Sequence, residues 1–121
     1  MALNQWQTEV TNLLRDGEKR LMIHGGPRIG KTWFAAYLQE HIAFNAKHLN
    51  SLDEFERHPN ATIYVADLDV ELQSIAPDLD NLCAQYPSAR ICVLSSERPV
   101  NNMGFEHYIV GPDLILERLH I

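Results

Sequence analysis

Cysteine and long apolar runs are both scarce in this sequence. Only Cys83 and Cys92 are present among the 121 residues, and their spacing matches no metal-binding or redox motif. We interpret both as reduced thiols that pack in the interior, as is usual in a cytoplasmic protein. No apolar run approaches the roughly 20 residues of a membrane-spanning helix, and the N-terminus lacks a signal peptide's order of basic and then apolar residues. We therefore expect no membrane partner.

Positive charge is scarce as well. The chain has 10 Lys and Arg residues against 16 Asp and Glu residues, which gives a formal net charge of -6. A protein that binds nucleic acid by itself usually carries a basic face. Lys19, Arg20 and Lys47 do not form a continuous basic stripe, so we expect no direct DNA binding by this chain. The six histidines show no metal-ligand spacing, and we interpret none of them as a metal ligand.

The length and the apolar patterns indicate one α/β domain over residues 1–121. Short buried strands are expected at residues 21–23, 47–49, 63–66, 91–94 and 108–110. Helices are expected from Leu3 to a stop at Asp16-Gly17, along a face with Phe34, Leu38 and Ile42, after a capping box of Ser51 and Glu54, between Pro77 and Pro87, and after Pro112. Because strands alternate with helices, we predict three layers, with a mostly parallel sheet between two layers of helices.

The segment "HGGPRIGKTW", residues 24 to 33, contains the one motif that indicates a chemistry. Gly25 and the run Gly30-Lys31-Thr32 fit G-x-x-x-x-G-K-[ST], and the match lies between a predicted strand and a predicted helix. Backbone N–H groups of such a loop point at a phosphate, and the helix adds the positive end of its dipole. We predict that a nucleotide is held by Gly25, Gly26, Pro27, Arg28, Ile29, Gly30, Lys31, Thr32 and Trp33.

Three further interpretations concern individual side chains of this site. Lys31 is expected to reach the β and γ phosphates, and the Thr32 hydroxyl is expected to ligate Mg²⁺. We expect the Arg28 side chain to project outward into water. Trp6, which lies at helical spacing from Val10, is interpreted as a core residue rather than a platform for adenine.

Two more candidate residues follow the later strands. Asp67 ends the strand at residues 63–66, where a ligand-facing acid belongs in an open α/β sheet, and we predict catalytic and magnesium-binding roles for it. The strand at residues 91–94 ends in Ser95 and Ser96, of which Ser96 is the predicted catalytic sensor of phosphate and Ser95 the alternative. The chain contains no Asn-Lys-x-Asp guanine motif, which favours ATP or ADP as the nucleotide.

Two stretches, "LMIHGGPRIGKTWFAAYLQEHI" and "ARICVLSSERPV", together resemble the AAA+ core of the DnaA replication-initiator family and its Hda-type relatives. The resemblance covers roughly residues 20 to 118, and the Ser-Glu-Arg-Pro segment that begins at Ser96 is its most specific part. It implies a P-loop NTPase fold with a minimal AAA+-type core that binds ATP or ADP with Mg²⁺. It also implies a regulatory role in the initiation of DNA replication, through contacts with replication-initiation or related AAA+ proteins.

The departures from that family bear on hydrolysis. Where the family has two adjacent acids, this chain has "VADLD", so Asp67 can align with the first or the second acid, and the other position is then Leu68 or Ala66. Gly104 falls where the family's arginine finger lies, and we interpret Arg98 as a loop residue rather than a finger. The family's helical lid and its DNA-binding helix-turn-helix are absent from the 121 residues.

A missing finger alone can reduce phosphoryl transfer by about 10³- to 10⁵-fold, so we expect weak or no hydrolysis. Two alternatives remain open at this point. One is an oligomeric AAA+ ATPase such as a helicase loader or a transposition helper. The other is an interaction scaffold whose loop no longer binds nucleotide.

Overall fold

The structure is a computed structural model that describes residues 2–58, 60–67, 72–96 and 102–120. Its helices are α1 (Gln5–Arg15), α2 (Lys31–Glu40) and α3 (Leu72–Gln85). Its strands are β1 (Arg20–Gly25), β2 (Ala46–Leu49), β3 (Ile63–Asp67), β4 (Arg90–Ser95), β5 (Glu106–Val110) and β6 (Leu116–Leu119). Short 3-10 helices lie at Ile42–Phe44 and Leu52–Arg57. No helix among these described residues is long and apolar enough to cross a membrane.

The six strands form one sheet in the order β2-β3-β4-β1-β5-β6. The first five strands pair in parallel, and only β6 runs antiparallel to its neighbour β5. Parallel strands that are covered on both faces are nearly continuously apolar, as are the buried runs Leu21 to Ile23 in β1 and Ile91 to Leu94 in β4. All five predicted strands are present at their predicted places.

Each face of the sheet has its own apolar core. On one face, α1 and α2 bury Trp6, Val10 and Phe34 against alternate residues of the central strands, such as Ile23 and Val65. On the other face, α3 and the 3-10 helix at Leu52–Arg57 bury Leu79 and Phe55 against Met22, Tyr64 and Val93. The period of two along the strands explains this division, because successive side chains point to opposite faces. The predicted three-layer α/β/α fold with a mostly parallel sheet is confirmed.

Helix α1 begins at Gln5, two residues after the predicted start at Leu3, and ends before the predicted stop at Asp16-Gly17. The Asn4 side chain accepts a hydrogen bond from the Gln7 backbone N–H, and the Gln7 side chain accepts one from the Asn4 backbone N–H, at 3.1 Å each. This reciprocal capping satisfies donors that a helix N-terminus otherwise leaves unpaired. At the other end, Gly17 takes a φ of +94°, a value that glycine adopts without steric cost.

The prediction that Pro77 opens the third helix was wrong. Helix α3 begins at Leu72, and Pro77 lies inside it. A proline in a helix interior removes one backbone hydrogen bond, at a cost of about 3 kcal/mol or more. Here Ile75 packs against the same core as Leu79, so the apolar face continues on the N-terminal side of the proline. Burial of that apolar face outweighs the free-energy cost of proline in the helix interior.

The prediction of a last helix opened by Pro112 was also wrong. Pro112 occupies the second position of a turn that is closed by a hydrogen bond of 3.0 Å from the Leu114 N–H to the Gly111 carbonyl. Proline suits that position because its φ is fixed. Leu114 takes a φ of +64°, and the chain then returns as β6 beside β5. The chain forms a strand here and not a helix, because the edge of β5 offers backbone hydrogen-bond partners to β6.

Two smaller predictions also need correction. Ser51 precedes a 3-10 helix but does not cap it, because its hydroxyl donates to Asp53 and Glu54 accepts from the Asn50 N–H at 3.4 Å. Ile42 does not continue the apolar face of α2, because that helix ends at Glu40 and Ile42 begins a separate 3-10 turn.

Candidate functional site

The predicted phosphate loop connects the C-terminal end of β1 to the first turn of α2. Gly30 is the residue before the helix and has a φ of +88°, and no side chain caps the helix at this end. The backbone N–H groups of the first turn therefore lack a side-chain partner from the capping position, which is the arrangement that suits an anion. Arg28 also has a left-handed conformation, with a φ of +68°.

The two glycines of the motif are required for different reasons. At Gly30 the positive φ disfavours any other residue, and an added Cβ would lie 3.0 Å from the Gln7 side-chain nitrogen. At Gly25 no positive φ occurs, but an added Cβ would lie 2.2 Å from Ile29 Cδ1. Gly30 therefore supplies a backbone conformation that other residues rarely adopt. Gly25 supplies space.

Helix α1 holds the loop from the side opposite the cavity. The Trp6 indole N–H donates to the Ile29 carbonyl at 3.0 Å, and the Gln7 amide donates to the Gly30 carbonyl at 3.5 Å. Trp6 is fully buried, and its ring packs edge-on against Phe34 at 5.0 Å. Its interpretation as a core residue is confirmed. Its hydrogen bond to the loop was missed by the sequence reasoning.

The end of β1 is fixed by a second set of contacts. His24, the residue before Gly25, is buried and lies 2.9 Å from His107 of β5, ring nitrogen to ring nitrogen. The other ring nitrogen of His107 lies 2.7 Å from the Asn102 carbonyl, which can only accept a hydrogen bond. His107 therefore donates to Asn102 through Nε2. When His107 is neutral, its Nδ1 accepts from His24 Nε2, so the β1–β5 pair is fastened next to the loop.

Lys31 lies where the loop, β1 and β4 meet. Its Nζ donates to the carbonyls of Gly25 and Gly26, and to the Ser96 hydroxyl at 3.0 Å. These three acceptors are neutral oxygens, and an anionic phosphate oxygen that enters the site can replace one of them. Ser96 is the residue that meets Lys31, whereas Ser95 is buried at the end of β4. The geometry therefore favours Ser96 over Ser95 as the sensor candidate.

Thr32 of α2 and Asp67 at the end of β3 lie side by side. The Thr32 hydroxyl donates to Asp67 Oδ2 at 2.7 Å. Helix α2 packs against β3, and its first turn lies beside the carboxyl end of that strand, where Asp67 is located. A hydroxyl and a carboxylate are suitable oxygen donors for Mg²⁺, which usually binds one or two carboxylates plus phosphate oxygens and water.

A cavity of about 550 Å³ opens in front of these residues, and it lies within the usual range for small-molecule sites. It is lined by Pro27, Arg28, Gly30, Lys31, Thr32, Trp33, Asn50, Asp67, Leu94 and Ser96. Arg28, which was expected to project into water, is exposed and also belongs to this lining. Two cationic side chains and one carboxylate thus surround the space, and the residues present fit a phosphate chain with its Mg²⁺.

Some of the predicted site residues lie near the cavity, and others are not among the residues that the structure describes. Gly25, Gly26 and Ile29 form the loop behind the cavity, and Trp33 is 39% exposed and stacks on Tyr37. Leu68, Asp69 and Arg98 lie outside the described residues, so the alignment of Asp67 with the first or the second acid stays open. Gly104 lies in a turn before β5 with a φ of +78°.

Two residues of β2 and the turn that follows it were missed by the sequence reasoning. Asn50 lines the cavity, and His48 Nε2 lies 3.5 Å from Asp67 Oδ2. Both follow from β2 being the parallel neighbour of β3, because the carboxyl ends of parallel strands meet at one edge. The signal in the sequence was the weak strand predicted at residues 47–49, which contains His48 and is followed directly by Asn50.

Comparison with known proteins supports the fold and nothing finer. No protein family model matches the chain, and no curated protein matches it. Among solved structures, the chain is similar to one titled "Structural Basis for DNA Unwinding at Forked dsDNA by two coordinating Pif1 helicases", with a TM-score of 0.61 and 15% identity. The match covers 92% of this chain and 43% of that chain, so this chain spans less than half of its structural neighbour. The chain therefore shares its three-layer α/β fold with part of that structure.

Proposed function

We propose that this chain binds ATP or ADP with Mg²⁺ at the loop between β1 and α2. The observation that carries the proposal is the convergence of Lys31, Thr32 and Asp67 on one cavity. A chance glycine-rich turn would supply a lysine at a helix N-terminus. It would not also supply a hydroxyl and a carboxylate 2.7 Å apart on the far side of the same space.

Each residue has a physical role in this proposal. The N–H groups of the loop and of the first turn of α2 bind the phosphate oxygens, and Lys31 exchanges a carbonyl acceptor for an anionic one. Thr32 and Asp67 would hold a magnesium ion, directly or through water, and a bound ion would supply charge neutralisation at the phosphates. Arg28 adds a second positive charge at the mouth of the cavity.

We further propose weak or no hydrolysis and a regulatory role of the DnaA/Hda type. In this role the chain acts on the initiation of DNA replication through contacts with replication-initiation or related AAA+ proteins. Support comes from the sequence resemblance over residues 20–118 and from the strand order, in which a sensor strand separates the Lys31 strand from the Asp67 strand. Gly104, without a side chain, stands where that family has its finger.

The alternative is an oligomeric ATPase, such as a helicase loader or a transposition helper. The contact between Ser96 and Lys31 favours it, because a polar sensor at a phosphate site is a part of working ATPases. Hydrolysis that rises steeply with protein concentration and falls in Arg98→Ala would support this alternative. Turnover at the background rate under all concentrations would exclude it.

Calorimetric titration with ADP tests the nucleotide site. We expect wild-type protein to bind ADP in Mg²⁺ and Lys31→Ala to lose that binding while its circular dichroism stays unchanged. Lys19→Ala is the matched control, since it removes the same charge from an exposed residue at the opposite end of β1. Equal ADP affinity in wild type and Lys31→Ala would contradict the site, and no binding by wild type would favour the scaffold alternative.

A further inference from the structure

His48 of β2 is a polar side chain whose placement the proposed function does not explain. Its Nε2 lies 3.5 Å from Asp67 Oδ2, and the side chain is 15% exposed. Among the described residues, this buried nitrogen has no hydrogen-bond partner. A buried nitrogen without a partner is costly in free energy, so a native structure that keeps one calls for a reason.

The position of His48 relative to the cavity indicates what it can do. Asp67 lines the cavity, and so does Asn50, but His48 does not. The imidazole thus approaches a residue of the cavity lining without belonging to that lining itself. It is placed to act on a bound ion or nucleotide through Asp67 and not by direct contact.

Two side chains approach the same oxygen of Asp67. The Thr32 hydroxyl donates to Oδ2 from the side of α2, and His48 Nε2 approaches the same oxygen from β2. A shift of about 0.5 Å would bring that nitrogen to ordinary hydrogen-bond distance. Two donors on Oδ2 would fix the rotation of the carboxylate.

We propose that His48 is a positioning residue for the magnesium side of this site. Its Nε2–H donates to Asp67 Oδ2 and holds the carboxylate in the orientation that Mg²⁺ requires. This inference rests on the proposed nucleotide site and adds to it a residue that no part of the phosphate-loop motif contains. Partners of this kind, which orient a metal-binding group, typically change metal affinity by about 10- to 100-fold when they are removed.

The test compares ADP affinity with Mg²⁺ and with EDTA, and the ratio of the two is the magnesium increment. We expect His48→Leu to reduce this increment by about 10-fold while the affinity in EDTA stays unchanged. His48→Gln, whose amide nitrogen reaches about as far as Nε2, is expected to retain most of the increment. His48→Asn, whose amide is too short to reach Asp67, is expected to lose it, and the Gln and Asn pair decides the matter even if the Leu variant does not fold.

Two controls separate positioning from a general structural effect. His120→Leu removes an exposed imidazole at the end of β6 and is expected to leave the increment unchanged. In an Asp67→Asn background, His48→Leu is expected to have no further effect, because the residue acts through Asp67. An unchanged increment in His48→Leu, or an equal loss of affinity in Mg²⁺ and in EDTA, would overturn the inference and leave the nucleotide site standing. Wild-type protein that binds no ADP in either buffer would overturn the nucleotide site itself.

Discussion

Replacing Trp6 by phenylalanine removes the one side-chain N–H that holds the Ile29 carbonyl of the phosphate loop, at 3.0 Å in a fully buried position. A buried carbonyl that loses its donor costs about 1–3 kcal/mol. The smaller ring also leaves unfilled space against Phe34, which adds to the loss. We therefore expect the free energy of unfolding to fall by about 2–3 kcal/mol, or roughly 6–15 °C in melting temperature for a domain of this size.

Thermal and urea denaturation followed by circular dichroism measure this effect. Trp33→Phe is the matched control, since Trp33 is 39% exposed and its substitution is expected to change stability by no more than about 0.5 kcal/mol. We also expect Trp6→Phe to weaken ADP binding, because the loop is no longer held in one conformation before the ligand arrives. If the two tryptophan variants unfold at the same temperature, the assignment of Trp6 as a support of the loop is wrong.

Further predictions concern glycine, arginine and cysteine. Gly30→Ala should lower the free energy of unfolding by about 1–2 kcal/mol and weaken ADP binding, because Gly30 has a φ of +88°. Gly26→Ala should change stability little, because nothing lies within 4 Å of an added Cβ at Gly26. Equal melting temperatures of the two variants would refute this prediction. Arg28→Gly should be more stable than Arg28→Ala, since both lose the side chain and only glycine relieves the φ of +68°; the reverse order in urea would contradict it. Burial raises the pKa of the Cys92 thiol to about 12, so its contribution to stability is complete below the unfolded pKa near 9 and is lost as pH rises toward 12. A thiol reagent should accordingly label the half-buried Cys83 in native protein and Cys92 only after unfolding.

The central strands and the phosphate loop could be predicted from the sequence because their signals are local. Leu21 to Ile23 is a continuous apolar run that leads directly into glycines, and such a run is stable only as a strand covered on both faces. Ser96 was a candidate because it follows the strand predicted at residues 91–94, and its contact with Lys31 follows from the pairing of β4 with β1.

The parts that could not be predicted depend on tertiary partners. The chain after Pro112 pairs with β5, because β5 lies at the edge of the parallel part of the sheet. The local sequence after Pro112 does not predict this pairing. Helix α3 passes through Pro77 because Ile75 finds a core to pack against. His48 could not be assigned, since its nearness to Asp67 depends on the register of β2 against β3.

The central claim is that the backbone amides between β1 and α2 hold the phosphates of a nucleotide. Amide NMR spectra recorded during a titration with ADP and Mg²⁺ test it most directly, because each N–H group reports its own environment. We predict the largest shifts at Gly26, Gly30, Lys31 and Thr32, with smaller shifts along the rest of α2. Shifts confined to the separate cavity beside Phe55 and Tyr86, or no shifts at all, would contradict the account.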